Sequence, residues 1–168
     1  MEISGLLLEL YGRIPPLARD VVEGVDLEHL TRPPAPGANT IAWLIWHMGR
    51  VEDHHVSELL GSEQLWSEGG WAAGFGLEPD PANTGYGHSP DEVLSVRPQS
   101  AELLLEYLDT AHLRAAALIR ELTATDLDRN VDLRWDPPVT MAVRLVSVAD
   151  DCLQHAGQAA YVKGMLGV

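Results

Sequence analysis

Asp151 and His155 stand four residues apart in RLVSVADDCLQHAGQAAYVKGML, close to the end of the chain. On an α-helix that interval sets one side chain above the other, so a carboxylate and an imidazole can converge on a single ion. On a helical wheel, Arg144, Val148, Asp151, His155 and Val162 share one stripe, flanked by Met141, Cys152 and Ala159. The apolar members predict that this stripe faces inward. An arginine, an aspartate and a histidine on an inward face are costly unless they are paired or hold a metal. The plainer alternative is an i,i+4 ion pair, worth about 0.2–0.5 kcal/mol.

Catalytic zinc sites use three protein ligands and keep a position open. A third ligand must therefore come from a facing helix, and IAWLIWHMGRVEDHHVSELL supplies several candidates. His47 lies at the edge of the apolar stripe, with Trp43 and Trp46 crowding the same turn. His55 is nearer the centre of the stripe, and His54 is its neighbour. Glu52 also points inward, as a ligand or as a partner of one. Spacing leaves these open. Cys152 is the only cysteine, which excludes an intrachain disulfide and a thiolate zinc cluster within one chain. It reads as a packing residue.

The elements that must position these groups are helical. Ile3, Leu6, Leu7, Leu10, Ile14, Leu17 and Val21 have helical spacing, with a kink or break expected near residues 12–14 because Pro15 and Pro16 follow. Residues 31–38 (TRPPAPGA) form a loop. Asn39 and Thr40 offer caps for a second helix over 41–60, ended by Gly61. A third helix is predicted over 100–122, and a fourth over 141–165, capped by Thr140 and ended by Gly167. Ser89-Pro90-Asp91-Glu92 has the spacing of a capping box and predicts a short extra helix. With no clear strand, the pattern predicts an all-α four-helix bundle forming one domain over 1–168. The segment 61–99 between helices two and three is long enough to cross over the bundle, and a connection of that length is often functional.

Bulk composition narrows the function. Hydrophobic residues make up 46% and charged residues 21% of 168, a globular composition. The formal net charge of −14 repels phosphate backbones and argues against nucleic acid as a partner. No apolar run approaches the roughly 20 residues of a membrane span. The N-terminus lacks the basic start of a signal peptide, so a cytoplasmic protein is expected. Lys163 is the only lysine, a bias typical of GC-rich coding.

The segments PAPGANTIAWLIWH, WLIWHMGRVEDHH, TGYGHSPDEV and the whole of the fourth helix resemble the DinB-like superfamily. That superfamily includes the mycothiol- and bacillithiol-dependent S-transferases and the metal-binding domain of mycothiol-dependent maleylpyruvate isomerase. The resemblance spans nearly the whole chain. Its most specific piece is His-x-x-Gln-x-x-Tyr-x-Lys-Gly, from His155 to Gly164. Residue by residue, it implies a metal triad of His47, Asp151 and His155. Many members have three histidines, whereas Asp151 stands here where they have the first histidine of the pair; the isomerase branch is similar in using a carboxylate, a glutamate. The resemblance gives His54 and His55 supporting or structural roles. It implies a divalent metal, zinc first with nickel or iron also compatible, a mycothiol-like low-molecular-weight thiol, a small-molecule substrate and a homodimer.

In such a site Arg144 would grip a carboxylate of thiol or substrate, and Trp43, Tyr86 and His88 would contact the thiol. The mouth of the pocket would draw on Trp66, Trp71, Tyr86, His88 and Trp135. Two other readings fit the same residues. One is a metal-dependent hydrolase with Glu52 or Asp53 as base. The other is a non-catalytic metal- or ligand-binding stress protein.

Overall fold

The computed structural model describes residues 2–168. The helices in chain order are α1 (Ile3–Tyr11), α2 (Ile14–Val22), α3 (Leu27–Thr31), α4 (Ile41–Leu60), α5 (Leu65–Glu68), α6 (Trp71–Gly74), α7 (Pro90–Ser95), α8 (Ala101–Glu121), α9 (Ala124–Leu127) and α10 (Met141–Leu166). Strands β1 (Asn130–Asp132) and β2 (Val139–Thr140) pair antiparallel between α9 and α10. Local chemistry sets the long helices. Thr40, Ser100 and Thr140 each accept the N–H three residues on, from Trp43, Leu103 and Val143. Gly61 and Gly167 end α4 and α10 in the left-handed conformation. The proline pair falls in the first turn of α2, where no N–H is needed, so it starts a helix after the break at residues 12–13.

Side-chain contacts give the helix directions. From Arg50–Tyr107 to Ser57–Arg114, residue numbers rise together, so α4 and α8 run parallel. From Trp43–His155 through Met48–Cys152 to His55–Arg144 they run opposite, so α4 and α10 are antiparallel. Tyr11–Leu145 and Asp20–Lys163 make α1 and α2 parallel to α10. The bundle is therefore an all-α four-helix bundle with α1–α2 as one broken helix, and 61–99 is the crossover that joins two parallel helices.

The helix α4 is the central element, packed on α8 and α10 and roofed by the crossover. Every residue from Ile41 to Asp53 is buried, on all faces. Gly49 lets α8 approach, since a Cβ there would lie 2.8 Å from Cδ1 of Tyr107. On α10 the inward face is Leu145, Val148, Ala149, Cys152, Ala156, Ala159 and Val162. This corrects the expected stripe, because Arg144, Asp151 and His155 sit half-buried on its flank. Cys152 meets α4 at the Met48 carbonyl, and the polar groups stand on the adjoining flank of α10.

The short hairpin β1–β2 corrects the expectation of no strand; two or three residues are too few for alternation to show. The capping box at Ser89 is present and opens α7, while α5, α6 and α9 fell in stretches read as connections and α3 in one given no assignment. Among the described residues, no helix is long and apolar enough to cross a membrane.

Candidate metal centre

His47 on α4 and Asp151 and His155 on α10 meet where the two helices cross. Nε2 of His47 lies 3.6 Å from Oδ2 of Asp151, and Nε2 of His155 lies 3.6 Å from Oδ1. One nitrogen or oxygen from each residue lies within 4.8 Å of the other two. The imidazole rings are edge to face, with centroids 4.8 Å apart.

Both imidazoles are held by the nitrogen facing away from this centre. Nδ1–H of His47 donates to the carbonyl oxygen of Thr84, on the crossover. Nδ1–H of His155 donates to Oε1 of Gln158 at 2.8 Å. Each bond fixes a tautomer that leaves the Nε2 lone pair directed at the shared centre, the outer arrangement typical of metal-bound histidine. Oδ2 of Asp151 is buried without a hydrogen-bond partner. A carboxylate oxygen in that state is expensive unless a cation joins it. Three ligands with prepared lone pairs and one orphaned anionic oxygen fit a divalent ion of the zinc, iron or nickel kind.

The surroundings tighten the arrangement. The Trp43 ring stacks on His47, 4.8 Å between centroids and 10° from parallel, and meets His155 edge-on. Gly85 has a positive φ of 94°, and a Cβ there would stand 2.9 Å from Nδ1 of His47. Only glycine lets the crossover come this close. Burial lowers the pKa of His47. Burial also acts to lower that of His155, but Asp151 and Gln158 outweigh it and leave it raised. For Asp151, burial acts upward and the two imidazoles outweigh it, leaving the carboxyl below its ordinary value.

A cavity of about 450 Å³ opens beside the centre, lined by His47 and Asp151 at one end, Val51, Ala82 and Val148 along its middle, and His54 and His55 at the other end. His54, His55 and Glu58 form a second cluster with metal-ligand spacing. The guanidinium of Arg144 lies there, 3.3 Å from Nδ1 of His55 and 4.0 Å from Glu58. Its positive charge opposes a cation at that point.

The other expected site residues are placed as follows. Arg144 is paired with Asp132 of the hairpin at 2.9 Å. Glu52 is fully buried in the bundle, faces His112 of α8 at 3.5 Å and does not line the cavity; burial raises its pKa. His88 accepts from Nε1–H of Trp43 at Nδ1 (3.1 Å) and donates from Nε2 to Asn83 (2.9 Å), so both its nitrogens are used. Tyr86 is almost wholly exposed on the cavity rim. Trp66 is in the core and Trp71 packs on Tyr107, while Trp135 is exposed on the hairpin. Sequence reasoning passed over Gln158, although it stands three residues after His155 inside the most specific motif. It also passed over Thr84, whose contribution is a backbone carbonyl and leaves no trace in residue type.

A broken-helix bundle with a long crossover, presenting two imidazoles and a carboxylate from facing helices beside a cavity, defines a class of small helical proteins equipped to hold one metal ion. The chain belongs to the DinB superfamily: that family's model matches residues 12–159, which contain all three candidate ligands and Gln158. It is also similar to a conserved protein from Enterococcus faecalis known from a crystal structure, with a TM-score of 0.91 and 29% identity over 99% of this chain and 98% of that one. No curated protein matches it.

Gln158 offers a direct check on the centre. It touches no ion itself and acts only by orienting His155. Gln158→Ala should weaken zinc binding by about 10–100-fold, read by competition with a chromophoric chelator, while the far-ultraviolet circular dichroism stays unchanged.

Proposed function

We propose that this protein is a divalent-metal-dependent thiol S-transferase, which activates a mycothiol-like low-molecular-weight thiol for attack on an electrophilic small molecule. The observation that carries this reading is the triad of His47, Asp151 and His155, with both imidazoles oriented by their outer nitrogens, opening on a cavity of about 450 Å³. Bound there, a zinc ion would supply Lewis acidity that favours the thiolate over the thiol at neutral pH. The chain's own residues would hold and screen the reactants. Trp43 covers the His47 ring, the crossover closes the cavity along Ala82–Thr84, and Tyr86 stands at the entrance.

The protein's own thiol does not fit the nucleophile's part. Cys152 is fully buried, its Sγ–H points at the Met48 carbonyl, and burial pushes its pKa well up. The thiol must then come from outside. The hydrolytic reading loses both carboxylates named for it, since Glu52 and Asp53 are buried elsewhere in the bundle and do not line the cavity. The same reading puts the protein in the cytoplasm, where such thiols are kept reduced; that it works as a homodimer is proposed from the family resemblance alone.

Titrating mycothiol into cobalt-substituted protein tests the proposal. A new thiolate-to-cobalt charge-transfer band, saturating at one thiol per cobalt, is expected. A cobalt spectrum that stays unchanged with saturating thiol, metal remaining bound, would overturn it and favour a metal-binding protein without transferase activity.

A further inference from the structure

We infer that His88 is a positioning residue of the metal centre, which sets the plane of the His47 imidazole through the Trp43 indole. This rests on the reading of His47, Asp151 and His155 as metal ligands. It gives the turn from Gly85 to His88 a role, and it assigns Trp43 and His88 to the support of a ligand in place of contact with the thiol.

The need for such a residue follows from how His47 is held. Its hydrogen bond from Nδ1–H to the Thr84 carbonyl anchors a single atom of the ring. A ring held at one atom can still tilt about that bond and swing Nε2 away from Asp151. The second constraint is the Trp43 ring, 4.8 Å from the imidazole and within 10° of parallel. The same indole meets His155 edge-on at 6.1 Å, so its placement bounds both imidazoles. Whatever fixes the indole therefore helps to aim the ligands.

His88 fixes it. Tryptophan can only donate, so Nε1–H of Trp43, 3.1 Å from Nδ1 of His88, makes that nitrogen the acceptor and puts the ring proton on Nε2. Nε2–H then donates to Oδ1 of Asn83 at 2.9 Å. Asn83 is itself tied to α4, because its carbonyl accepts from Arg50 at 2.9 Å. The His88 ring also stacks on Trp46, 5.8 Å between centroids and 22° from parallel. The imidazole of His88 is thus held at both nitrogens and on one face.

The backbone brings it there. The His88 N–H donates to the Gly85 carbonyl at 3.1 Å, closing a turn in which Gly85 and Gly87 take φ of 94° and 76°. A Cβ on Gly85 would stand 2.9 Å from Cζ3 of Trp46 and 3.1 Å from Cζ2 of Trp43, so the turn lies directly on both indoles. Trp43 is buried. Without His88 its N–H loses an acceptor, and turning the indole outward to find water takes it off the His47 ring.

Two variants and the wild type test this. Asparagine places an oxygen where Nδ1 of histidine lies, whereas phenylalanine keeps a ring on Trp46 but offers no acceptor. His88→Phe should weaken zinc binding by about tenfold or more, read by chelator competition, while His88→Asn should stay within about threefold of the wild type. ¹⁵N spectra of the metal-free wild type should show His88 as the Nε2–H tautomer and the Trp43 indole N–H shifted downfield by its acceptor. The ring protons of His47, shielded by the stacked indole, should move downfield in His88→Phe and hold their place in His88→Asn. Wild-type zinc affinity in His88→Phe, an Nδ1–H tautomer in the wild type, weakened zinc binding with the His47 protons unmoved, or His88→Asn as weak as His88→Phe would each overturn the inference. Should His88→Phe fail to fold, the wild-type spectra and His88→Asn decide it. The spectra need no metal, so protein that shows these shifts and binds no zinc would sink the metal reading and leave the clamp on His47 standing. Full zinc affinity in His88→Phe would do the reverse.

Discussion

Asp151→Asn should purify without metal and melt slightly below the metal-free wild type. The two halves of this expectation have one cause. In the folded chain burial acts upward on the Asp151 carboxyl, but the two imidazoles outweigh it and hold the group below its ordinary value. The ionised form therefore contributes stability above the usual carboxylate range, while Oδ2 is left without a hydrogen-bond partner for a cation to join. An amide of the same shape removes that charge and, with it, the anionic ligand. Wild-type protein should therefore carry one metal by elemental analysis and lose thermal stability on chelation. Metal at about 100 times its dissociation constant adds roughly 2.7 kcal/mol, which for a chain of this length is about 5–10 °C in Tm. Asp151→Asn should show no metal and no response to chelator. His47→Ala should match it in metal content but not in stability, since it also empties a space under Trp43 and abandons the Thr84 carbonyl. A variant pair that retains stoichiometric zinc would remove the basis of the proposed chemistry.

How far the site could be read in advance differs by ligand. Asp151 and His155 were legible because both lie on one helix, where a four-residue interval is a distance in space. His47 was not separable from His54, His55 and Glu52 by spacing, and only the family resemblance selected it. The structure shows why. Because α8, α10 and the crossover cover α4 on all sides, Ile41 to Asp53 are uniformly buried, and an apolar stripe no longer marks which face meets which neighbour. Glu52 and His47 both point inward, one to α8 and the other to α10. The long helices were legible to within a residue because Thr40, Ser100, Thr140, Gly61 and Gly167 act locally. The course of the crossover was not, because backbone groups and a buried ion pair set it, and neither has a sequence period.

That ion pair supports the second large effect. Asp53→Ala should destabilise the fold by about 3–5 kcal/mol, the usual cost of stripping one partner from a buried charge. The Asp53 carboxylate is wholly buried and gathers donors from three elements: the backbone N–H groups of Leu65 (2.9 Å) and Trp66 (2.8 Å) in the crossover, the Tyr107 hydroxyl (3.0 Å) from α8, and Arg50 (3.3 Å) one turn back on α4. Arg50 in turn reaches the carbonyls of Pro81 (3.1 Å) and Asn83 (2.9 Å) and lies over the Trp66 ring. Removing Asp53 leaves a buried guanidinium unpaired and two crossover amides without acceptors. Replacing both members, as Arg50→Met/Asp53→Leu, should not restore stability, because those amides and the Asn83 carbonyl would still be orphaned. Chemical denaturation of the two single variants and the double variant measures this directly. The same network links stability to the metal centre. Arg50 fixes the Asn83 carbonyl, and the next residue, Thr84, supplies the acceptor that orients His47. Arg50→Met should therefore weaken zinc binding by about 10–100-fold with all three ligands intact. If zinc affinity stays at the wild-type value while the fold loosens, the crossover does not orient His47, and the triad is set by α4 and α10 alone.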